Sequence, residues 1–237
     1  MTEMKKGERT IVVTGAKGAL GGEVIKRFVQ YGDEVIGWDI EAPGPGALVE
    51  DDRRRNLRWL KVDLCDSAAV EGATATVEQE VGGIDAFIHC AGGFRWSHIE
   101  KIDTADIDFL VNVNLRSSLY VARSVMGRMK ERGQGRLIFM SSRSTTGPAA
   151  GEGAYVATKA GLNALTRSLA DEVKESEITV NALQPSVIDT PDNREAMPDA
   201  DFSTWVPRAE LVDLMEYLLS DKARSINGSL ITVSGRT

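Results

Sequence analysis

The sequence predicts a single-domain α/β fold, a doubly wound parallel sheet of about seven strands with helices on both faces. Three observations carry that expectation. Short β-branched runs alternate with longer helical stretches along the 237 residues, the runs are almost continuously apolar, and a glycine-rich turn joins the first run to the first helical stretch. In chain order, "RTIVVTG" reads as the first strand and residues 19–31 as the helix after it. "DEVIGWD" and "LRWLKVD" are the next two strands, parted by the glycine- and proline-broken loop "EAPGPGALVEDDRRRN". Residues 67–81 follow with helical spacing, then the strand "IDAFIHCAG" and a long helical stretch over 104–132. "GRLIFMSS", a helix over 154–175 and "ITVNALQP" continue the alternation. The segment "TPDNREAMPDADFSTWVP" is too rich in proline for a regular element and too aromatic for a mere linker, so it reads as a lid. A helix over 207–220 and the strand "GSLITVSG" close the chain. No composition shift marks a second domain; residues 1–100 read mainly as a dinucleotide-binding half and 101–237 as a catalytic and lid half of one domain, 1–237.

A formal net charge of -7 argues against a nucleic-acid surface. The run Arg53-Arg54-Arg55 directly follows Glu50-Asp51-Asp52 and reads as a charge-compensated solvated loop. Cys65 and Cys90, each in or beside an apolar run, read as reduced, buried thiols of a cytoplasmic protein. With His89 and His98 they form no metal-ligand spacing. The start "MTEMKKGERT" lacks the apolar core of a signal peptide, and no apolar run reaches membrane-spanning length.

In "VVTGAKGALGGEVI", Gly15, Gly18 and Gly21 recur every third residue between a strand and a helix. Glycine permits the tight turn and close backbone approach, and the helix N-terminus offers free N–H groups to a pyrophosphate, so the fold expectation sharpens to a Rossmann-like dinucleotide site. Asp39 ends the second strand, where a carboxylate bonds the adenosine ribose and repels a 2′-phosphate. NAD(H) is therefore favoured over NADP(H), although Lys17 in the turn could serve either cofactor.

The chemistry resides in "NVNLRSS", "FMSSRS" and "YVATK". Tyr155 and Lys159 are four residues apart on one helical face, so both can address one ligand. A phenol titrating near 10 is a poor base at neutral pH, and a neighbouring ammonium together with the positive nicotinamide of an oxidised cofactor is expected to lower it. A serine hydroxyl could hold a substrate oxygen while the tyrosine exchanges a proton with it, which is what hydride transfer asks of a protein.

These motifs together resemble the short-chain dehydrogenase/reductase family over nearly the whole chain. "TGAKGALG" resembles its TGxxxGxG turn, "HCAG" its NNAG segment, "VNL" its helix-four asparagine, "YVATK" its YxxxK, and "QPSVIDTP" its PGxxxTP stretch. The resemblance implies an alcohol/carbonyl oxidoreductase acting on a small molecule. Tyr155 would be the general acid/base, Lys159 the residue that lowers its pKa and binds the nicotinamide ribose, Ser142 the carbonyl-orienting hydroxyl, and Asn114 the holder of a relay water. It extends the cofactor-binding set to Gly15, Lys17, Gly18, Ala19, Leu20, Gly21, Asp39, Asp63, Leu64, Cys90, Ala91, Gly92, Pro185, Val187, Ile188 and Thr190, beside Tyr155 and Lys159, with no metal. It also implies a homodimer or homotetramer built on helices 104–132 and 154–175.

The chain departs from the pattern at Ala19, at His89 and Cys90, at Ser186 and in the ending "VSGRT". "KGALG", "AGGF" and "IDTPDNREAMPDADFSTWVP" resemble dihydropteridine reductase, so reduction of quinonoid dihydropterin by NADH is the alternative activity. A non-catalytic NAD-sensing regulator is a third reading, disfavoured because all four proton-transfer residues are present. Phe94 and Trp96 read as pocket lining or as packing beneath the lid. Arg95 and Arg143 read as surface residues or partners of an anionic substrate, and His98 as structural or exposed.

Overall fold

Apolar runs without interruption need cover on both faces, and the sheet provides it. The computed structural model describes residues 6–42, 49–51 and 54–236, without the side chains of 49–51 and 54. Its strands are β1 (Thr10–Thr14), β2 (Glu34–Asp39), β3 (Val49–Asp51), β4 (Arg54–Lys61), β5 (Ala86–His89), β6 (Gln134–Met140), β7 (Glu177–Pro185) and β8 (Leu230–Val233). They lie in the order β3-β4-β2-β1-β5-β6-β7-β8. The seven expected strands pair in parallel, and β3 adds an antiparallel edge on β4. That edge arises inside the stretch expected to be irregular. Residues 43–48 and 52–53 of the stretch lie outside the described residues, and with them Asp52 and Arg53 of the charge run.

Alternation within each strand sorts the core into two layers. Ile11, Val13, Val35, Ile88 and Ile138 face α1 (Ala19–Gln30) and α7 (Arg208–Leu218), which contribute Val24, Ile25 and Phe28, and Leu211, Val212 and Met215. Val12, Ile36, Trp38, Phe87, Phe139 and Val180 face the other way. There they meet α2 (Ser67–Val81), α4 (Ser117–Arg132) and α5 (Gly153–Glu172) through residues such as Val70, Val121, Val125 and Leu162. Among the described residues no helix is long and apolar enough to cross a membrane.

Two expectations about helices change. The stretch 104–132 is not one uniform helix: α3 (Thr104–Leu110) passes through a π-helical segment, Val111–Arg116, before α4 begins. The proline-rich stretch after β7 does hold regular structure, namely α6 (Pro191–Ala196) and a 3-10 turn, Phe202–Thr204. Pro191 opens α6 at a position whose N–H has no intrahelical partner, and the Thr190 hydroxyl caps it by accepting from the Asn193 N–H at 3.2 Å. A parallel bridge between Ile188 and Val206 closes the neck of this segment. Trp205 is buried there, and Phe202 packs on it with ring centroids 4.7 Å apart.

Candidate active site

In an open parallel sheet the crevice at the carboxyl ends of the strands, where the strand order reverses, is where ligands sit. Here the order reverses between β1 and β5, and the sequence-predicted residues gather at that edge. Gly15 leaves β1 with φ +59, and a Cβ on it would stand 2.9 Å from the Ala91 amide nitrogen, so the two strand exits touch. A Cβ on Gly21 would lie 2.2 Å from the Gly15 carbonyl oxygen. Gly18 caps α1 without a side-chain bond, so the first-turn N–H groups stay open to an anion. Ala19 and Leu20 complete that turn. Asp39 ends β2, its two oxygens accepting from the Lys17 N–H at 3.0 Å and the Glu41 N–H at 3.1 Å. The Lys17 ammonium lies 5.7 Å from the Trp59 ring centre. These residues fit a dinucleotide: a side-chain-free cradle, a helix N-terminus and an acidic strand end.

Asp63 follows β4, accepting from the Cys65 N–H at 2.9 Å, with Leu64 half-buried against the core. Cys65 itself is exposed, correcting its expected burial, while Cys90 is partly buried and its thiol is pushed up to about 12 by burial.

His89, standing where the family pattern has asparagine, is buried. Its Nδ1 lies 2.9 Å from the Thr14 hydroxyl, which also accepts from the Ala91 N–H at 3.2 Å, and its Nε2 lies 3.5 Å from the Ser117 hydroxyl. Burial, aided by the nearby Lys159, lowers its pKa to about 3, so the ring is neutral. It ties β1, β5 and α4 together, a role Thr14 shares and the sequence reading had not assigned.

The π segment turns the Asn114 side chain to the loop after β5. Its Oδ1 accepts from the Gly93 N–H at 2.9 Å, while its Nδ2 donates to the Gly93 carbonyl at 2.9 Å and the Thr158 hydroxyl at 3.2 Å. Thr158 in turn donates to the Tyr155 carbonyl at 2.7 Å. The amide is thus engaged by protein at both ends, and a clamp of Gly93, Asn114 and Thr158 joins the loop, the π segment and α5. Its members include two residues, Gly93 and Thr158, that pattern reading missed because their roles run through backbone and tertiary contact.

Tyr155 is half-buried on α5, near enough to Ser142 for that hydroxyl to favour the phenolate. Phe94 meets its ring edge-on at 4.9 Å, which places that aromatic at the site. Burial pushes the Tyr155 phenol above its ordinary value, opposed by the Ser142 hydroxyl. The Glu152 charge adds to that rise. Lys159 is buried, its Nζ donating to the Met140 carbonyl at 2.8 Å and lying 5.8 Å from the Tyr155 ring centre. Burial lowers its pKa to about 8, and a Cβ on Gly92 would stand 3.2 Å from its Nζ. Ser142 ends the β6 exit, buried, its hydroxyl accepting from the Ser144 N–H at 3.2 Å.

Pro185 ends β7. Ser186, in the place of the pattern's glycine, bonds Val233 through its N–H at 2.9 Å and Ser234 through its hydroxyl at 2.7 Å, tying this segment to the C-terminal strand. Val187 and Ile188 then pair with Val206. Outside the site, Arg95 pairs with Asp106 at 3.0 Å and covers Phe109, Arg143 is exposed, and Trp96 donates to the Ala150 carbonyl at 3.2 Å with His98 against its ring.

With that geometry in place, comparison with known proteins is informative. A family model described as short chain dehydrogenase matches residues 9–201. The (2S)-[(R)-hydroxy(phenyl)methyl]succinyl-CoA dehydrogenase subunit BbsD of Thauera aromatica is 30% identical over 96% of this chain and 95% of its own. The 3-oxoacyl-[acyl-carrier-protein] reductase FabG of Escherichia coli (strain K12) is 29% identical over 94% and 95%. Among solved structures, 4-hydroxyisoleucine dehydrogenase complexed with NADH superposes with a TM-score of 0.82 at 27% identity, covering 96% of this chain and 97% of that one.

Proposed function

Because this chain belongs to the short-chain dehydrogenase/reductase family and is an NAD(P)-dependent oxidoreductase, we propose that it exchanges hydride between NAD(H) and a small alcohol or carbonyl substrate, with Tyr155 as general acid/base. The observation that carries the reading is the gathering of Tyr155, the buried Ser142 and, one helical turn along, the buried Lys159, whose Nζ lies 5.8 Å from the Tyr155 ring centre.

When bound, the nicotinamide supplies the hydride donor or acceptor. The chain's own groups hold it and manage the proton. Gly15, Lys17, Gly18, Ala19, Leu20 and Gly21 receive the pyrophosphate, Asp39 the adenosine ribose, and Asp63 and Leu64 the adenine side. Cys90, Ala91 and Gly92 line the strand exit. Pro185, Val187, Ile188 and Thr190 address the nicotinamide amide, and Lys159 its ribose. In this reading residues 1–100 bind the dinucleotide and 101–237 supply catalysis and the lid.

In carbonyl reduction the Ser142 hydroxyl donates to the substrate oxygen and Tyr155 delivers its proton there. Its raised pKa keeps that proton available at neutral pH. In alcohol oxidation the proton returns to Tyr155 Oη, with the Lys159 ammonium as the stabilising cation. Asn114 holds a relay water with the backbone of its π segment, since its amide is already bonded. The Asp39 carboxylate repels a 2′-phosphate, which supports NAD(H) over NADP(H). The relatives' names speak of hydroxyl- and oxo-bearing substrates, which supports the alcohol/carbonyl class. We further propose a cytoplasmic homodimer or homotetramer; the two free cysteines agree with a reducing compartment.

The test is NADH absorbance with a panel of alcohols, ketones and quinonoid dihydropterin, on wild type and Ser142→Ala. The expected result is turnover of alcohols or ketones that falls about 10²–10³-fold without the serine hydroxyl. Efficient dihydropterin reduction that survives Ser142→Ala would establish the pteridine activity instead. NADH binding with no turnover of any substrate would favour a sensor.

A further inference from the structure

Beyond the reacting pair, a single hydroxyl ties together the three elements that build the site. Ser142 opens a 3-10 turn, Arg143–Thr146, and within that turn the Thr145 Oγ1 makes three bonds. It accepts from the Asn163 Nδ2 at 3.0 Å and from the Gln184 Nε2 at 2.9 Å, and it donates to the Ser142 carbonyl at 2.8 Å. A threonine hydroxyl offers two lone pairs and one proton. Two amide N–H groups fill the lone pairs, so the proton has one destination, the Ser142 carbonyl. The Thr145 N–H reaches the same oxygen at 3.2 Å.

The partners give this junction its reach. Asn163 lies on α5 one turn beyond Lys159 and two beyond Tyr155. Gln184 directly precedes Pro185 on β7, and its Oε1 accepts from the Thr232 hydroxyl of β8 at 3.2 Å. Asn163 is 8% and Gln184 3% exposed, so water competes little for these bonds.

We propose that Thr145 is a positioning residue for the reaction: its hydroxyl locks the Ser142 backbone to the helix carrying Tyr155 and Lys159 and to the strand leading into the Pro185–Thr190 segment. It touches no reacting atom and acts through Ser142, so the inference rests on the role proposed for that serine. Thr145→Val keeps the side chain's size, removes the proton and leaves two buried amides without an acceptor. Thr145→Ser keeps the hydroxyl.

The experiment measures kcat, KM and NADH affinity for both variants, each also in a Ser142→Ala background. Thr145→Val is expected to lower kcat about 10- to 10²-fold, as small misplacements of reacting groups do, with NADH affinity little changed. Thr145→Ser should restore kcat, and Thr145→Val should add no loss once Ser142 is alanine. Gln184→Met, which removes one of the amide donors, gives a second route should Thr145→Val fail to fold; a smaller kcat loss, again absent without Ser142, is expected. A kcat loss from Ser142→Ala with none from Thr145→Val or Gln184→Met overturns this inference alone, as does a loss that adds in full to Ser142→Ala. Unchanged kcat in Ser142→Ala would remove the serine's role, and this inference with it.

Discussion

Replacing Gly21 by alanine is the sharpest steric test of the cofactor cradle. The new Cβ would sit 2.2 Å from the Gly15 carbonyl oxygen and 2.8 Å from its carbonyl carbon, about 1.3 and 0.7 Å inside the roughly 3.5 Å at which non-bonded heavy atoms rest. Neither side can yield cheaply. Gly15 is already held at φ +59 with its Cα against Ala91, and α1 is anchored to the sheet by Val24, Ile25 and Phe28. The helix start must therefore tilt away from the turn, and a displacement near 1 Å takes an N–H out of hydrogen-bond range. Losing two bonds to a charged pyrophosphate, at about 1.5 kcal/mol or more each, weakens NADH binding about 10²-fold. Overpacking should cost a further 1–3 kcal/mol or so of stability, read as a lower Tm. Gly22→Ala is the control, because its Cβ would meet only the Ala16 carbonyl oxygen at 4.0 Å and alanine favours the helix by up to about 1 kcal/mol. Fluorescence titration with NADH and thermal melts decide the matter. Gly21→Ala binding NADH like wild type, or Gly22→Ala failing equally, would refute the cradle.

Asp39→Ser should narrow an initial preference for NADH over NADPH by about 10- to 150-fold, the range of a hydrogen bond to a charged group of roughly 1.5–3 kcal/mol. Steady-state comparison of both cofactors checks it, and wild-type preference for NADPH would assign selection to Lys17 instead. The pH dependence follows from Lys159, whose pKa burial lowers to about 8. The ammonium that binds the ribose is present below that pH and lost above it, so kcat/KM for NADH in carbonyl reduction should be level near pH 7 and fall about tenfold per unit beyond 8. A profile flat to pH 9.5 would contradict a required Lys159 cation.

The alternation of apolar runs and helical spacing made the parallel sheet legible, because strands covered on both faces must be apolar throughout. The glycine turn and the four-residue Tyr155–Lys159 spacing were legible for a similar reason: each reports a local backbone constraint. What escaped pattern reading depends on tertiary balance. The π segment that aims Asn114 carries no composition signal, and the clamp through Gly93 and Thr158 joins residues distant in sequence. Pro191 suggested irregularity, yet proline is at home in the first turn of α6. Spacing put an ammonium beside the phenol, but only burial, read from the folded chain, fixes the direction of the Tyr155 shift. The exposure of Cys65 and the neutral His89 bridge likewise belong to the packed chain and not to their neighbours in sequence.

The central claim, proton transfer by Tyr155, meets its most direct test in Tyr155→Phe, which keeps the ring against Phe94 and removes only the exchangeable proton. NADH affinity, measured by titration, should match wild type, while kcat falls about 10²–10⁴-fold, the usual contribution of a general acid–base group. Turnover near the wild-type rate with NADH still bound would remove Tyr155 from the mechanism.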